Sequence, residues 1–311
     1  MNMIKILKNI KHAVSCKYSF WLTNKYKEKL ANTDALPIIT LRDKDKEPRI
    51  IVSMTTIPSR INAAAMVARI MLMQTVKPDT IYIYLGKEWF KDVELPKELV
   101  ELESHGVKVV YCDDLKPHTK YFYAMKKFPE DIVITVDDDI LYPYDLIETL
   151  MKSYHKYPKA VSCMRAHLIK QNVDGTLMSY NDWKPRVSGH TKPSHLLLAT
   201  GVGGVLYPPH CMDEEVFNVD NIKNLSLKAD DIWLKVMEWR AGTKVVKASA
   251  GIGVTLLIKD TQEINLVDCQ TAHCRRGKSH FIFGGLASPI EPYRNLTQTT
   301  DGITADCRSL V

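Results

Sequence analysis

The central part of the chain alternates short apolar runs with stretches of helical periodicity. Runs with the length of buried strands occupy residues 49–53, 81–85, 107–111 and 131–136. Stretches at helical spacing occupy residues 63–74, 98–105 and 120–127. Strands that alternate with helices in this way predict βαβ units around a mostly parallel sheet. The fold class predicted is α/β, with a Rossmann-like sheet flanked by helices.

Changes in polarity divide the chain into three parts. Residues 1–48 form a basic segment and a polar connector, residues 49–260 carry the alternating pattern, and residues 261–311 form an irregular extension that closes on the active site or is partly disordered. Residues 1–35 hold seven lysines against two acidic residues, interleaved with apolar residues, but no uninterrupted apolar span of about 20 residues. This pattern predicts an amphipathic helix that either lies on an anionic inner-membrane surface or packs on the domain.

Composition narrows the class of protein. The 311 residues include 42 Lys and Arg against 36 Asp and Glu, with 25% charged and 45% hydrophobic residues. These values exclude collagen-like, disordered and multi-span membrane proteins, and a net charge of +6 is too small for a dedicated nucleic-acid binder. The seven cysteines are scattered without a disulfide framework, which indicates a reducing compartment. We expect a cytoplasmic protein, free or peripheral on the inner face of the plasma membrane.

Three adjacent carboxylates, Asp137, Asp138 and Asp139, follow the fourth predicted strand. Ligands of open α/β sheets bind outside the carboxyl ends of the strands. Adjacent carboxylates repel one another unless a cation neutralises them, and hard oxygen ligands select Mg²⁺ or Mn²⁺. Strand alternation places Asp137 and Asp139 on one side and Asp138 on the other. An acidic turn with one helix-capping aspartate explains only one of the three, so the motif predicts a metal site for a phosphate-bearing substrate.

Further motifs flank these carboxylates in a definite order. Residues 51–60 (IVSMTTIPSR) follow the first strand, Lys120 opens the helix before the acidic strand, and Asp230 and Asp231 open a later helical pattern. Together with the motif at 136–139, this order is similar to GT-A-fold, nucleotide-sugar-dependent glycosyltransferases of the type that builds bacterial capsule or lipopolysaccharide. The resemblance spans roughly residues 49–260.

The resemblance implies a nucleotide-sugar site at the carboxyl edge of the sheet. Its implied contacts are Thr55, Thr56, Arg60, Asp114, Lys120, Asp137, Asp138, Gly203 and Gly204. Threonine hydroxyls and free backbone N–H groups at a helix start suit phosphate, and lysine suits it as a point charge. Asp113 or Asp114 would contact the base of the nucleotide, unless these residues only cap the next helix. The glycines let the backbone approach a ligand closely.

The resemblance also implies a metal site and a general base. The metal, Mn²⁺ or Mg²⁺, would be held by Asp139, Asp137 and His273, with His280 as the alternative histidine, and would stabilise the departing nucleoside diphosphate as a Lewis acid. Asp231 would take the proton of the acceptor hydroxyl, and its neighbour Asp230 would raise its pKa. The alternative is structural, with Asp230 as a helix N-cap and Asp231 in the first turn.

The function predicted is transfer of a sugar, with inversion, from a UDP-linked donor to a hydroxyl of a surface glycan or lipid-linked oligosaccharide. Two alternatives remain. One is a retaining transferase of the same fold. The other is a haloacid-dehalogenase-like phosphatase that uses Asp137 and Asp139, although in that family the acidic motif normally ends the first strand and here at least three strands precede it.

Overall fold

The computed structural model describes residues 28, 35–43, 47–249, 256–258 and 261. The basic segment, apart from residues 28 and 35, lies outside this range, as do His273 and His280 and nearly all of the C-terminal extension. Within the described ranges, no helix combines the length and the apolar character needed to span a bilayer.

A seven-stranded sheet forms the centre of the protein. The strands of the chain are β1 (Ile50–Thr56), β2 (Thr80–Gly86), β3 (Val107–Cys112), β4 (Ile132–Thr135), β5 (Ile140–Leu141), β6 (Val161–Cys163), β7 (Ala166–Leu168), β8 (Leu197–Ala199), β9 (Val205–Tyr207), β10 (Val245–Lys247) and β11 (Leu256–Leu257). The sheet order is β10-β6-β9-β4-β1-β2-β3. Only β9 runs antiparallel to its neighbours in this sheet, β4 and β6. The predicted α/β class with a mostly parallel sheet is confirmed.

Helices and short turns connect the strands. The α-helices are α1 (Ile61–Leu72), α2 (Lys97–Val100), α3 (Thr119–Lys127), α4 (Leu146–Lys156), α5 (Val219–Asn221) and α6 (Asp230–Arg240). Short 3₁₀ turns lie at Pro58–Arg60, Glu101–His105, Lys116–His118, Tyr180–Asp182, Gly201–Gly203 and Glu214–Phe217, and Ile222–Ser226 is π-helical. Two small antiparallel ladders, β5–β11 and β7–β8, lie beside the main sheet.

Apolar cores cover both faces of the sheet. Val52 and Met54 of β1 belong to the core that includes α1 and α4, whereas Ile51 belongs to the core that includes α3 and α6. Because successive side chains of a strand point to opposite faces, burial on both sides explains why the strands are continuous apolar runs. The helix predicted over 98–105 is α2 followed by a 3₁₀ turn, which ends at Gly106 with φ of 93°.

The chain order of the sheet places a crevice between β1 and β4. Strands β2 and β3 lie on one side of β1, and β4 lies on the other. The segments that leave β1 and β4 therefore diverge at their carboxyl ends, where open α/β sheets bind ligands. Pro58–Arg60 and the acidic motif at 137–139 emerge at this point.

Candidate active site

Arg60 neutralises two of the three carboxylates that follow β4. Its Nη1 lies 3.0 Å from Asp139 Oδ2 and 3.4 Å from Asp138 Oδ1. Thr56, the last residue of β1, donates its hydroxyl to Asp138 Oδ2 at 2.6 Å. All four side chains are buried, so β1 and β4 are joined at their carboxyl ends by charged contacts in a protected environment. We call these four residues the Arg60 cluster.

The directions of the three carboxylates differ from those predicted by strand alternation. Asp138 and Asp139 both face Arg60, whereas Asp137 turns to another cation. The physical reason is that β4 ends at Thr135 and residues 138–139 form a turn, where the alternation of an extended strand no longer holds.

Lys120 connects the two acidic motifs. Its Nζ lies 2.9 Å from Asp137 Oδ1 and 3.0 Å from Asp230 Oδ2. Lys120 is the second residue of α3, as the sequence predicts for a lysine that opens this helix, and its ammonium is buried between β4 and the start of α6. Lys120 thus makes two ion pairs in the structure, and its predicted approach to a pyrophosphate stays a prediction. Lys120, Asp137, Asp230 and Asp231 are called the Lys120 cluster below.

Asp231 is held by a backbone amide. The N–H of Gly201 donates to Asp231 Oδ1 at 3.0 Å. A Cβ at position 201 would lie 2.7 Å from Lys120 Nζ and 3.3 Å from Asp231 Oδ1, so glycine lets the turn approach both groups without displacing the ammonium. Gly201 is a site residue that the sequence interpretation missed, although it stands in the same glycine-rich run as Gly203.

The two glycines predicted to bind the nucleotide sugar have structural neighbours. A Cβ at Gly203 would lie 2.8 Å from Arg165 Cβ. Gly204 has φ of 87° and packs on Leu146. Both glycines let the chain turn from β8 into β9 at close range, and their predicted contact with a sugar stays a prediction.

The acidic pair does not cap its helix. Helix α6 begins at Asp230, its N-cap is Ala229, and no side chain accepts a capping hydrogen bond there. The expectation of an Asp230 N-cap is therefore not met. Both carboxylates lie in the first turn, where the helix dipole favours negative charge.

Buried charges shift the pKa values of the acidic residues in opposite directions. Burial, and then the charge of Asp230, raises the pKa of Asp231 to about 7. Burial, and then the charge of Asp139, raises the pKa of Asp138 to about 7. Burial acts on Asp230 in the same sense, but the ammonium of Lys120 outweighs it and holds the pKa of Asp230 below its ordinary value. Two carboxyl groups therefore titrate near neutral pH.

Two predicted nucleotide contacts lie outside both clusters. Thr55 donates its hydroxyl to the carbonyl of Tyr84 at 2.9 Å and so links β1 to β2. Asp114, after β3, accepts from the indole N–H of Trp89 at 2.8 Å and from the N–H of Lys116 at 2.7 Å. The Lys116 ammonium lies 4.6 Å from the centre of the Trp89 ring. Asp114 thus belongs to a separate aromatic corner of the same sheet edge.

Two further side chains, which the sequence interpretation missed, support the site. The imidazole of His118 lies 2.8 Å from both the Tyr121 hydroxyl and the carbonyl of Ser226, and burial lowers its pKa. The hydroxyl of Tyr142 accepts from the N–H of Asp137 at 2.9 Å. Proximity of Tyr142 to the acidic motif is a signal that could have identified it, whereas His118 reaches the site only through tertiary packing.

The carboxylates fit a divalent cation in chemistry and charge. The described part of the chain contains no group of three histidine, cysteine or acidic side chains already arranged to hold a metal. Five carboxylates nevertheless gather around two paired cations, Lys120 and Arg60, and two of the carboxyl groups have a raised pKa. This excess of buried negative charge on hard oxygen atoms suits Mg²⁺ or Mn²⁺. The predicted third ligand, His273, lies outside the described residues.

Comparisons with known proteins give little beyond the fold class. No family model matches the chain, and no curated protein matches its sequence. A CMP:2-keto-3-deoxy-manno-octonic acid synthetase complexed with CTP is 13% identical, with a TM-score of 0.36 over 65% of this chain and 88% of that chain. A 4-diphosphocytidyl-2C-methyl-D-erythritol synthase is 9% identical, with a TM-score of 0.41 over 71% of this chain and 99% of that chain. At these scores the likeness says nothing about activity.

Proposed function

We propose that this protein is a metal-dependent glycosyltransferase that moves a sugar from a UDP-linked donor to a hydroxyl of a surface-glycan acceptor. The single observation that carries the proposal is the contact of Lys120 with both acidic motifs. The Lys120 ammonium holds two groups of carboxylates together. The group after β4 suits a divalent cation, and the group at the start of α6 includes a carboxyl group suited to proton transfer. Such a pairing of roles is what glycosyl transfer from a nucleoside diphosphate requires.

Asp231 is assigned as the general base. An alcohol is a poor nucleophile until a positioned group takes its proton, and a base works best when its pKa lies near the operating pH. The acceptor oxygen forms a bond to the anomeric carbon, its proton passes to Asp231, and the bond to the nucleoside diphosphate breaks with the electron pair on the leaving oxygen. Lys120 keeps Asp230 ionised, and this charge in turn raises the pKa of Asp231. Displacement in one step inverts the configuration of the sugar.

The donor is assigned to the carboxyl ends of β1 and β4. Asp137 and Asp139 would hold Mn²⁺ or Mg²⁺, which when bound supplies Lewis-acid stabilisation of the leaving diphosphate. Arg60 and Thr56 fix the turn that carries these carboxylates and are positioning residues in this scheme. Asp114 remains the proposed contact for the base of the nucleotide, beside the half-exposed ring of Trp89.

Calorimetric titration of UDP tests the donor site, with GDP and CMP as nucleotide controls. Each titration is made with Mn²⁺ and after chelation, on the natural protein, on Asp139→Asn, and on Asp92→Asn as a control at an exposed carboxylate. We expect metal-dependent UDP binding that is lost in Asp139→Asn and kept in Asp92→Asn. No nucleotide binding under any condition would contradict the proposal. Binding that survives chelation and Asp139→Asn would retain the nucleotide and discard the metal.

The stereochemistry separates the proposal from its alternatives. A retaining transferase of the same fold gives a product with the anomeric configuration of the donor, which proton NMR of the product distinguishes from inversion. A haloacid-dehalogenase-like phosphatase releases inorganic phosphate from a phosphate monoester. The acidic motif here follows the fourth strand of the chain rather than the first, which does not favour the phosphatase.

We also infer that residues 1–35 hold the enzyme on the anionic inner face of the membrane, close to a lipid-linked acceptor. The support is compositional, since this segment carries nearly all of the net positive charge among interleaved apolar residues. Deletion of residues 1–35 is expected to abolish sedimentation with vesicles that contain anionic lipid. Unchanged sedimentation after the deletion would remove the inference.

A further inference from the structure

Arg165 lies behind the glycine turn that carries the amide contact to Asp231. It directly precedes β7, and its carbonyl accepts from the N–H of Thr200 at 3.1 Å. Gly203, at the other end of the same turn from Gly201, packs directly against the Cβ of Arg165. The Gly201–Gly203 turn therefore contacts Asp231 through Gly201 and Arg165 through Gly203, and the charge of Asp231 acts on Arg165.

A β-bulge brings Arg186 to the same place. Residues 184–187 run antiparallel to β7, with hydrogen bonds of 2.8 Å from the N–H of Leu168 to the carbonyl of Lys184 and 3.0 Å from the N–H of Val187 to the carbonyl of Ala166. Between these pairs one residue on β7 opposes two on the other strand, which defines a bulge. Arg186 has φ of 50°, uncommon for a residue with a side chain. Bulges of this kind re-aim side chains and are frequent beside active sites.

These two arginines have no acidic partner among the described residues. Neither has a carboxylate within ion-pair distance, and the buried Nε of Arg165 has no hydrogen-bond acceptor. Burial, and then the charge of Arg186, lowers the pKa of Arg165, while Asp231 and Asp137 act in the opposite sense. Ala166 follows Arg165 and pairs with Val187, which follows Arg186, so the two arginines flank the same hydrogen-bonded pair, and the charge of Arg186 acts on Arg165.

The surrounding segment is basic rather than neutral. Residues 165–195 carry five cationic side chains, Arg165, Lys170, Lys184, Arg186 and Lys192, against Asp174 and Asp182. One of these two carboxylates, Asp174, accepts from its neighbour Thr176 in a local turn. Two adjacent guanidinium groups without an acidic partner match a carboxylate or phosphate, which they bind through paired hydrogen bonds.

We propose that Arg165 and Arg186 form an anion subsite for the acceptor. On this view the acceptor carries a carboxylate or phosphate close to the hydroxyl that is glycosylated. The inference rests on the proposed function, because the subsite is assigned to the acceptor by its position next to Asp231. The donor diphosphate is the other source of such an anion, and a titration with UDP distinguishes the two.

Binding of matched charged and neutral sugars tests the subsite without any turnover. Glucuronic acid and glucose 6-phosphate, with glucose as the neutral control, are titrated into the full chain and followed by saturation-transfer NMR, in the absence of metal and nucleotide. The variants are Arg165→Gln and Arg186→Gly, with Lys192→Gln as an exposed cation of the same segment. Glycine suits the backbone conformation of residue 186, so Arg186→Gly removes the charge and is expected to fold.

We expect at least one charged sugar to bind about tenfold or more tightly than glucose, since hydrogen bonds to charged groups are the strong ones. That preference is lost in Arg165→Gln and Arg186→Gly and kept in Lys192→Gln. Equal binding of charged and neutral sugars, no binding of either charged sugar, or a preference that survives in Arg186→Gly would overturn the proposal.

A second titration separates the two sources of the anion and the two proposals. UDP with Mn²⁺ is expected to bind Arg186→Gly as tightly as the natural protein. If the arginine variants weaken UDP binding but leave the charged sugars unaffected, the anion is the donor diphosphate and the acceptor subsite is wrong. If the natural protein binds no nucleotide but keeps the arginine-dependent preference for charged sugars, the proposed function fails while the anion subsite stands.

Discussion

Two carboxyl groups in this protein, one buried and one partly exposed, have nearly the same acidity but very different surroundings. Asp138 in the Arg60 cluster and Asp231 in the Lys120 cluster both have a pKa raised to about 7 by burial and an adjacent aspartate. Asp138 is bound at both oxygens, by the Thr56 hydroxyl and by the Arg60 guanidinium. Asp231 accepts the Gly201 amide at one oxygen, and Lys120 pairs with its neighbour instead.

A raised pKa does not by itself make a carboxyl group a general base. A carboxyl group with a hydroxyl and a guanidinium on its two oxygens is fixed in place, and its task is to hold the turn after β4. A carboxyl group with one backbone contact has an oxygen left for a substrate proton. The raised pKa of Asp138 comes from burial and Asp139 at a carboxyl group whose oxygens are both occupied, whereas Asp231 has an oxygen left for proton transfer.

The largest expected effect comes from replacing each carboxyl group by its amide. Asp231→Asn keeps an oxygen that can accept from Gly201 but cannot take a proton, so the rate of UDP release from a panel of UDP-sugars should fall about 10²- to 10⁴-fold. Asp138→Asn should lower this rate less than about tenfold and should instead reduce the free energy of unfolding by about 1–3 kcal/mol. Equal losses of rate in the two variants would break the comparison.

Removal of the Lys120 ammonium should act mainly on stability. Lys120→Met leaves the buried Asp230 and the partly exposed Asp137 without their cation, and loss of one partner of a buried ion pair costs about 3–5 kcal/mol of unfolding free energy. Lys152→Met is the matched control, because Lys152 is 73% exposed and its pair with Glu148 contributes at most about 1 kcal/mol. Urea denaturation measures both. A Lys120→Met protein as stable as the natural one would show that Lys120 does not join the two acidic motifs.

A single methyl group should disturb the Lys120 cluster without removing a charge. In Gly201→Ala the new Cβ meets Lys120 Nζ at 2.7 Å, so the ammonium or the glycine turn must move. Since a displacement of about 1 Å can cost about 10²-fold in rate, we expect a loss of about 10- to 10²-fold in UDP release. Gly242→Ala adds a methyl group in open space at φ of 70°, and should lower stability by about 1 kcal/mol with little change in rate. The reverse pattern would contradict this assignment.

A further effect concerns the pH dependence of stability. Asp231 binds its proton more tightly in the folded protein than in the unfolded chain, where the pKa is about 4. The folded state therefore loses stability as pH rises from about 4 to about 7, and the loss persists above pH 7. Thermal denaturation should show Asp231→Asn raising the melting temperature more at pH 8 than at pH 4. An equal change at both pH values would mean that Asp231 has an ordinary pKa in the folded protein.

Local sequence pattern predicts the strands well and the side-chain partners poorly. The apolar runs at 49–53, 81–85, 107–111 and 131–136 all correspond to strands of the sheet, because strands buried on both faces must be apolar throughout. The chemistry-bearing residues at the strand ends are equally visible. Which cation each carboxylate meets is not, because the Lys120 contacts depend on how α3 packs against β4 and α6.

The proposed anion subsite was the hardest part to predict. Arg165 and Arg186 are brought together by a bulge that no periodicity signals, since one extra residue in a short irregular segment leaves the hydrophobic pattern unchanged. Thr55 shows the converse case, since it stands at a strand end as predicted but directs its hydroxyl to the neighbouring strand. Position along the chain thus predicts which residues reach the edge of the sheet, while tertiary contacts decide what they bind.

The pH dependence of UDP release is the measurement that tests the central claim most directly, because it reports the ionisation of the base in the working enzyme. The natural protein, with Mn²⁺ and the preferred UDP-sugar, should show a kcat/KM that rises about tenfold per pH unit on the acid side. It should level off with an apparent pKa of about 7, the value to which burial and Asp230 raise the pKa of Asp231. Asp231→Asn should abolish that acid limb along with most of the rate. A profile that is flat from pH 5 to pH 9, or an acid limb that persists unchanged in Asp231→Asn, would contradict the assignment of Asp231 as the general base.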